Sequence, residues 1–380
     1  QMLNSDNLDN IAYRDKEFYI KNNVSTILGV SLKSVDFSNK LLFLEKDSIH
    51  YDKLLIATGA KSNIPTLKGF DGDIYSFTNI QEANKLRESL DKKNHIVILG
   101  GGLIGAKLSE YLVNMGKEVT LIVGSKGVLS SLGDKNISEI LNTEILDNGV
   151  KLLLSRSVVS AKKKDSKVEL ILEKEKIICD AIVSCKGVKP EISPFEKTEL
   201  SIGRGIKVED DMKTSIDDVY AAGDVAEVFN RLEDSYLNIP ILPNAFSGGY
   251  CAGVNMSGGD SKIETVYPMN SLKIFDIQMI TMGLLTPREN DEVLTLFDSE
   301  KKIYKKLVIR EGKLIGAALI GDIDRAGILN NIIRSDLDID LIKSELLNNK
   351  INFYVLPKNV REDIVKAYTG EIKWLSIVKA

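Results

Sequence analysis

Three glycines, Gly100, Gly102 and Gly105, stand in GxGxxG spacing between the apolar run His95-Ile96-Val97-Ile98-Leu99 and a helix-forming stretch that starts near Ala106. In that frame each glycine has a task. The first permits a tight turn, the second lets the backbone approach a pyrophosphate, and the third lets helix and strand pack closely. Leu103 and Ile104 complete the turn, and the helix N-terminus directs its free N–H groups at the phosphates. A second strand, residues 119–122, should end on an Asp or Glu that holds the adenosine ribose. Val123 stands there instead, followed by Gly124-Ser125-Lys126. Without the carboxylate, a charge-assisted pair of hydrogen bonds worth about 1.5–3 kcal/mol is lost, about ten- to hundredfold in affinity. Ser125 and Lys126 are candidates to meet a 2′-phosphate. NADH, NADPH and a βαβ unit without a nucleotide all stay open on these residues alone.

A second chemical feature is Gly223-Asp224, at the end of the short buried run Val219-Tyr220-Ala221-Ala222. A carboxylate at the C-terminal end of a strand sits where open α/β sheets bind ligands, or it serves as a turn residue or helix cap. Other catalytic chemistry is scarce. The only histidines are His50 and His95, read as surface or strand-edge residues, so a His-rich metal site is excluded. Cys179, Cys185 and Cys251 are odd in number, widely spaced and without a CxxC, which argues against a dithiol pair, a zinc ribbon or a disulfide scaffold.

The elements that must position these residues follow from periodicity. Residues 18–56 read as several short strands, including "VSTILGVSLKSVDF", "KLLFLEKDSI" and "DKLLIATGA". Residues 79–93 read as a helix with Ile80, Ala83, Leu86 and Leu90 on one face, and 132–147 as another. Strands alternate with charged turns from 149 to 185, "AKKKDSK" being a solvated hairpin tip. "VKPEISPF" reads as a crossing between domains. "NAFSGGYCAGVNMSGG" reads as a helix rich in small residues. From about 264 onward strands and helices alternate as a separate α+β domain.

The bulk numbers agree with an α/β protein of several domains. The chain has 380 residues, 43% hydrophobic and 27% charged, with a net charge of −4. That balance argues against a nucleic-acid partner. No apolar run approaches the roughly 18 residues that would argue for a membrane span, so no membrane role is expected. The opening "QMLNSDNLDN" has no hydrophobic signal core, and a cytoplasmic location is expected.

Taken together, "LLIATGA" (54–60), "GGGLIG" (100–105) and "VYAAGDVAE" (219–227) resemble the FAD-dependent pyridine-nucleotide oxidoreductases. More narrowly the chain is similar to the branch of NADH:rubredoxin reductases and of the flavin portion of nitrite reductase large subunits. "PILPNAFSGGYCAGVNMSGG", "YPMNSLKIF" and "YKKLVIREGKLIGAALIGDIDRAGILNNIIR" carry that narrower likeness. The resemblance implies two Rossmann-like domains, the second inserted in the first, and a C-terminal α+β domain. It places an FAD-binding domain at 1–75 and 188–262, an NAD(P)-binding domain at 76–187, and the C-terminal domain at 263–380. It also implies a first FAD-binding βαβ unit ahead of Gln1, so the FAD domain is expected to be N-terminally incomplete.

Site residues carry over by motif. Asp224, after Gly223, should bond a ribityl hydroxyl of FAD. Thr58 and Gly59 should form the turn where the chain leaves the FAD domain. The helix starting near Asn244, Ala245 and Phe246 should turn its positive end toward the flavin. Lys107 departs from the family, many members of which carry a Glu there; it reads equally as a solvent-facing helix lysine. The implied activity is hydride transfer from NADH or NADPH to FAD, then electron passage to a rubredoxin- or ferredoxin-like acceptor protein, with a homodimer as the expected assembly. No acid–base residue is needed for the hydride step. The alternative is a partner-dependent or non-catalytic subunit that no longer binds a nicotinamide.

Overall fold

A computed structural model describes residues 12–132, 134–263, 266–335, 337–340, 342–347, 352, 354, 356–358 and 361–362. The polar opening, residues 1–10, lies outside the described residues. Contacts divide the chain into two units, residues 1–128 with 145–266, and residues 129–144 with 267–380.

The first unit holds two sheet systems. One is a parallel sheet in the order Ala181–Ser184, His95–Leu99, Glu118–Val123, Lys151–Leu154. Its strands are runs of apolar residues because both faces of a parallel sheet are covered; all four residues of Ala181–Ser184 and five of six in Glu118–Val123 are buried. The Leu103–Asn114 helix lays Ala106, Leu108, Ser109 and Leu112 inward. The helix read at 79–93 forms as Ile80–Leu90, where Asn79 Oδ1 caps the Glu82 N–H at 2.8 Å. Beside this sheet, Val158–Lys164, Lys167–Leu172 and Lys176–Cys179 form an antiparallel ribbon whose first turn is the lysine-rich tip.

The other system centres on two parallel strands, Leu54–Ile56 and Val219–Ala221. The Leu242–Met256 helix packs on them through small residues; a β-carbon on Gly248 would sit 3.1 Å from Met212 Sδ and 3.5 Å from Ala222 Cβ. Ile56, Phe195, Ile206, Val219, Val225 and Ala252 share this core. The two sheet systems are joined where the chain crosses out and back: Ala60–Ser62 pairs antiparallel with Val188–Pro190. Pro190 closes that short strand, a position where its missing N–H costs no interior ladder bond.

One expectation is corrected. Residues 18–33 are not strands. Lys16–Lys21 is a helix capped by Asp15, whose Oδ1 accepts the Phe18 N–H at 2.8 Å. The first strand is Ser34–Asp36, and 24–33 lies outside any element. Val24, Ile27, Leu28 and Val30 have strand-forming side chains, yet Ile27 is 60% and Leu28 79% exposed. β-propensity is realised only when a neighbour supplies the ladder and a face to pack on, and apart from the Lys33 N–H to Phe43 carbonyl bond at its end no described strand pairs with this stretch.

The second unit is α+β. Five antiparallel strands run in the order Met269–Ile274, Ile277–Gly283, Lys313–Ile320, Ile303–Arg310, Glu292–Asp298. The Ala326–Arg334 helix covers the sheet with Ala326, Leu329, Ile332 and Ile333. Residues 129–144, which include most of the Lys135–Asp147 helix, are bound into this unit by buried polar groups. Asp134 accepts bonds from Lys306 Nζ (2.8 Å), Tyr304 OH (2.9 Å) and the Ile137 N–H (3.1 Å). Glu144 accepts from Lys302 Nζ (2.7 Å) and from the Asp276 N–H (3.1 Å). No helix among the described residues is long and apolar enough to cross a membrane.

Candidate functional site

The glycine turn is shaped by what lies under it. Gly100 has φ +113°, and its N–H bonds to the Ile122 carbonyl at 2.9 Å. A β-carbon there would meet the Cys185 carbonyl oxygen at 2.5 Å, so both conformation and space demand glycine. A β-carbon on Gly105 would fall 2.0 Å from the Gly100 carbonyl oxygen and 3.3 Å from Cys185 Cβ. This contact brings the helix onto the turn. Gly102 differs: it caps the helix in an extended conformation, and a β-carbon on it would meet nothing within 4 Å. The first intrahelical bond, Ala106 N–H to the Gly102 carbonyl, is 3.0 Å. The amides of Leu103, Ile104 and Gly105 precede it and have no partner within the helix. The turn therefore leaves room and N–H donors at one place, which fits a pyrophosphate.

The next strand ends beside that turn. Val123 is 3% exposed and lies beneath Gly101, whose β-carbon would be 2.7 Å from Val123 Cγ2. Gly124, Ser125 and Lys126 then emerge to solvent. Ser125 Oγ donates to the Gly127 carbonyl at 3.0 Å. Lys107 points outward from the helix and pairs with Glu110 at 2.6 Å.

The second group of residues leaves the C-terminal ends of the parallel pair Leu54–Ile56 and Val219–Ala221, whose register continues in the Ala222 N–H to Ile56 carbonyl bond at 3.1 Å. Thr58 and Gly59 follow one strand, Gly223 and Asp224 the other. Thr58 Oγ1 donates to the Glu191 carbonyl at 2.7 Å, and the Glu191 N–H donates to the Gly59 carbonyl at 2.9 Å. Outgoing and returning chain are thus clasped at this turn, with Lys61 paired to Glu191 beside it. Thr58 also borders an apolar cavity of about 400 Å³ walled by Ile27, Leu42, Leu55 and Phe195.

Asp224 is partly buried, and among the described residues nothing donates to its carboxylate. Burial alone pushes its pKa above the usual carboxylate range. The backbone around it is held rigidly: Asn238 Nδ2 donates to the carbonyls of both Asp224 and Ala226 at 2.8 Å. A β-carbon on Gly223 would be 3.6 Å from Ala245 Cβ, so the helix start lies against this turn. The amides of Asn244 and Ala245 both bond to the Ile241 carbonyl at 3.1 Å, and Pro243 has no N–H. This helix end therefore offers its dipole more than a row of free donors. Phe246 is 45% exposed. A partly buried acceptor without a protein donor fits a ligand rich in hydroxyls.

Sequence reading missed Asn238, Glu191 and Cys185, each of which acts through backbone contacts that no motif marks. The cysteines are not reactive thiols. Burial pushes the pKa of Cys179 and of Cys185 up to about 12 and raises that of Cys251. No group of His, Cys, Asp and Glu among the described residues is arranged to hold a metal ion. His95 opens a strand, its ring nitrogens 2.9 Å from the Ile178 carbonyl and from Thr120 Oγ1.

An α/β fold with a phosphate-type glycine turn and a partly buried carboxylate turn, joined by paired crossing strands, fits a nucleotide-dependent oxidoreductase. The chain belongs to the pyridine nucleotide-disulphide oxidoreductase family, whose model matches residues 2–249, and residues 268–337 match the rubredoxin NAD+ reductase C-terminal domain. It is 28% identical over 345 residues to the NADH-rubredoxin oxidoreductase of Clostridium acetobutylicum, covering 90% of this chain and 86% of that one. It is also 28% identical over 349 residues to the epsilon subunit of an NADH-dependent phenylglyoxylate dehydrogenase of Aromatoleum evansii, covering 90% and 83%. The crystal structure of the Clostridium acetobutylicum NADH:rubredoxin oxidoreductase superposes with a TM-score of 0.74 at 26% identity, over 92% of this chain and 87% of that one.

Proposed function

We propose that the protein is an FAD-dependent NAD(P)H oxidoreductase that passes a hydride from nicotinamide to flavin and electrons on to an acceptor protein, rubredoxin or another iron–sulfur protein. The observation that carries this reading is Asp224, a partly buried carboxylate without a protein donor, on a turn clamped by Asn238. It is the acceptor a ribityl hydroxyl requires. FAD, when bound, supplies the redox chemistry. The protein's own part is to bind and orient. Asp224 and Gly223 hold one cofactor with Thr58, Gly59 and the helix start at Asn244, Ala245 and Phe246. Gly100, Gly102, Leu103, Ile104 and Gly105 cradle the nicotinamide nucleotide, with Ser125 and Lys126 at its adenosine end.

On this reading residues 1–75 and 188–262 form the FAD domain, 76–187 the NAD(P) domain and 263–380 the C-terminal domain, in a cytoplasmic homodimer. The relatives named for NADH and rubredoxin support the electron path. The buried, high-pKa thiols support transfer without a cysteine relay. A second reading, an electron-relaying subunit without its own nicotinamide, draws its support from Val123; the relative named as a subunit of an NADH-dependent dehydrogenase supports the subunit role alone. The test is the visible spectrum of the complete protein under anaerobic conditions. Bound flavin that bleaches with NADH or NADPH is expected. Flavin that neither nucleotide bleaches selects the subunit reading, and a complete protein that takes up no flavin overturns both.

A further inference from the structure

We infer that the adenosine end of the glycine cradle is built for a ribose carrying a 2′-phosphate, and that Arg156 is the residue that selects it. This deepens the reading of Gly100–Gly105 as a nicotinamide-nucleotide site and rests on it.

Three observations converge. First, the place of the ribose-binding acid is closed. Val123 is buried beneath Gly101, and neither 123–130 nor 154–158 contains an Asp or Glu. A bare 2′-hydroxyl finds no carboxylate acceptor on these loops. Second, two loops that are apart in sequence are joined at this point. The Arg156 N–H donates to the Val123 carbonyl at 3.1 Å, and the Ser155 N–H donates to the Ser125 carbonyl at 2.8 Å. These bonds place Arg156 beside the Ser125-Lys126 turn at the C-terminal edge of the parallel sheet, the edge on which open α/β sheets bind ligands. A β-carbon on Gly124 would lie 3.7 Å from Ser157 Oγ and 4.0 Å from the Arg156 carbonyl, which puts the second loop directly over the first.

Third, both cations are uncommitted to acids. Lys126 is exposed and Arg156 partly so, and among the described residues neither is paired with a carboxylate. The guanidinium contributes one bond, Nη1 to the Ser155 carbonyl at 3.2 Å. An arginine fork and a lysine beside two serines, with no acid on either loop, match a phosphate dianion and mismatch a neutral hydroxyl.

The test is equilibrium binding to the flavin-loaded complete protein by titration calorimetry, with NADPH, NADH, 2′,5′-ADP and 5′-AMP as probes. The wild type is expected to bind NADPH and 2′,5′-ADP about ten- to hundredfold tighter than their counterparts lacking the 2′-phosphate. The margin should shrink as salt is added, because exposed charges are screened. R156A should cost NADPH at least about tenfold more than it costs NADH, with R156K intermediate, at an unchanged melting temperature. NADH binding as tightly as NADPH in the wild type overturns the inference and leaves the cradle intact. Discrimination that survives in R156A removes Arg156 from the role. Failure of every probe to bind overturns the cradle reading itself, and the inference with it.

Discussion

The Gly100 carbonyl oxygen lies 2.0 Å from where a β-carbon on residue 105 would stand, whereas nothing lies within 4 Å of one on residue 102. Two glycines of one motif therefore differ in what requires them: packing demands Gly105, and nothing in the protein's own packing demands Gly102. Gly105→Ala must push helix from turn and should cost at least about 1–3 kcal/mol, the usual penalty for overpacking. Gly102→Ala, at φ −77° with nothing near its β-carbon, should cost no more than about 1 kcal/mol, the usual penalty for alanine at a helix cap. It should nonetheless weaken nicotinamide-nucleotide binding at least about tenfold, because the backbone can no longer approach the pyrophosphate. Thermal unfolding together with nucleotide titration checks the contrast; a Gly102→Ala variant that binds normally would remove the cradle role.

Asp224→Ala should lower FAD affinity by about ten- to hundredfold, the worth of hydrogen bonds to a charged acceptor. The loop should keep its shape, since Asn238 clamps backbone carbonyls and not the side chain. Quenching of FAD fluorescence on titration with protein measures this, and unaltered affinity would count against Asp224 as a flavin ligand.

The same carboxylate gives a pH dependence with a defined sign. Burial raises the Asp224 pKa in the free protein, so the proton is held more tightly folded than unfolded. That favours the folded form at low pH, an advantage lost as pH rises through the raised value. Hydroxyl donors favour the charged form and pull the pKa back down. FAD binding should therefore release a proton and tighten with rising pH between the ordinary carboxylate range and the raised value. Asp224→Asn should flatten this dependence in FAD titrations across that range.

In the second unit, Lys306 and Asp134 form an ion pair at 2.8 Å with side chains 7% and 6% exposed. Lys306→Met should cost about 3–5 kcal/mol, since it strands a buried charge. Burial works to raise the Asp134 pKa, but the bonds from Lys306, the Ile137 N–H and Tyr304 outweigh it and hold the carboxyl below its usual range. This contribution is present above the unfolded carboxylate pKa and is lost as pH falls through the lowered folded value. Wild-type melting temperature should thus fall steeply at acid pH, and Asp134→Asn, less stable throughout, should show a shallower fall.

Cys179 and Cys185, with thiol pKa values near 12 by burial, should resist a thiol-reactive dye at neutral pH until the protein unfolds, and replacing either with Ser should leave hydride transfer operating. Rapid labelling of native protein would contradict the burial.

Most of the local architecture was legible because it is written at short range. The glycine turn, the Ile80–Leu90 and Leu242–Met256 helices and the lysine-rich hairpin tip each follow from spacing within one or two elements. The stretch 24–33 failed the same logic, since its β-branched residues announce a strand but cannot supply the neighbour a strand needs.

By itself the sequence marked the candidates: a phosphate-type turn at Gly100–Gly105, a carboxylate at Asp224, an acid replaced by Val123, and neither a CxxC nor a histidine cluster. Tertiary structure alone decided what stands beside them. It set Cys185 under the glycine turn, Asn238 behind Asp224, Glu191 against Thr58 and Gly59, and Arg156 over the Val123–Lys126 turn. The physical reason is one of range. Periodicity and turn chemistry report on a residue's own element, whereas these contacts end on backbone groups every residue possesses, reached from segments distant in sequence by another backbone or by a side chain such as Asn238 or Thr58.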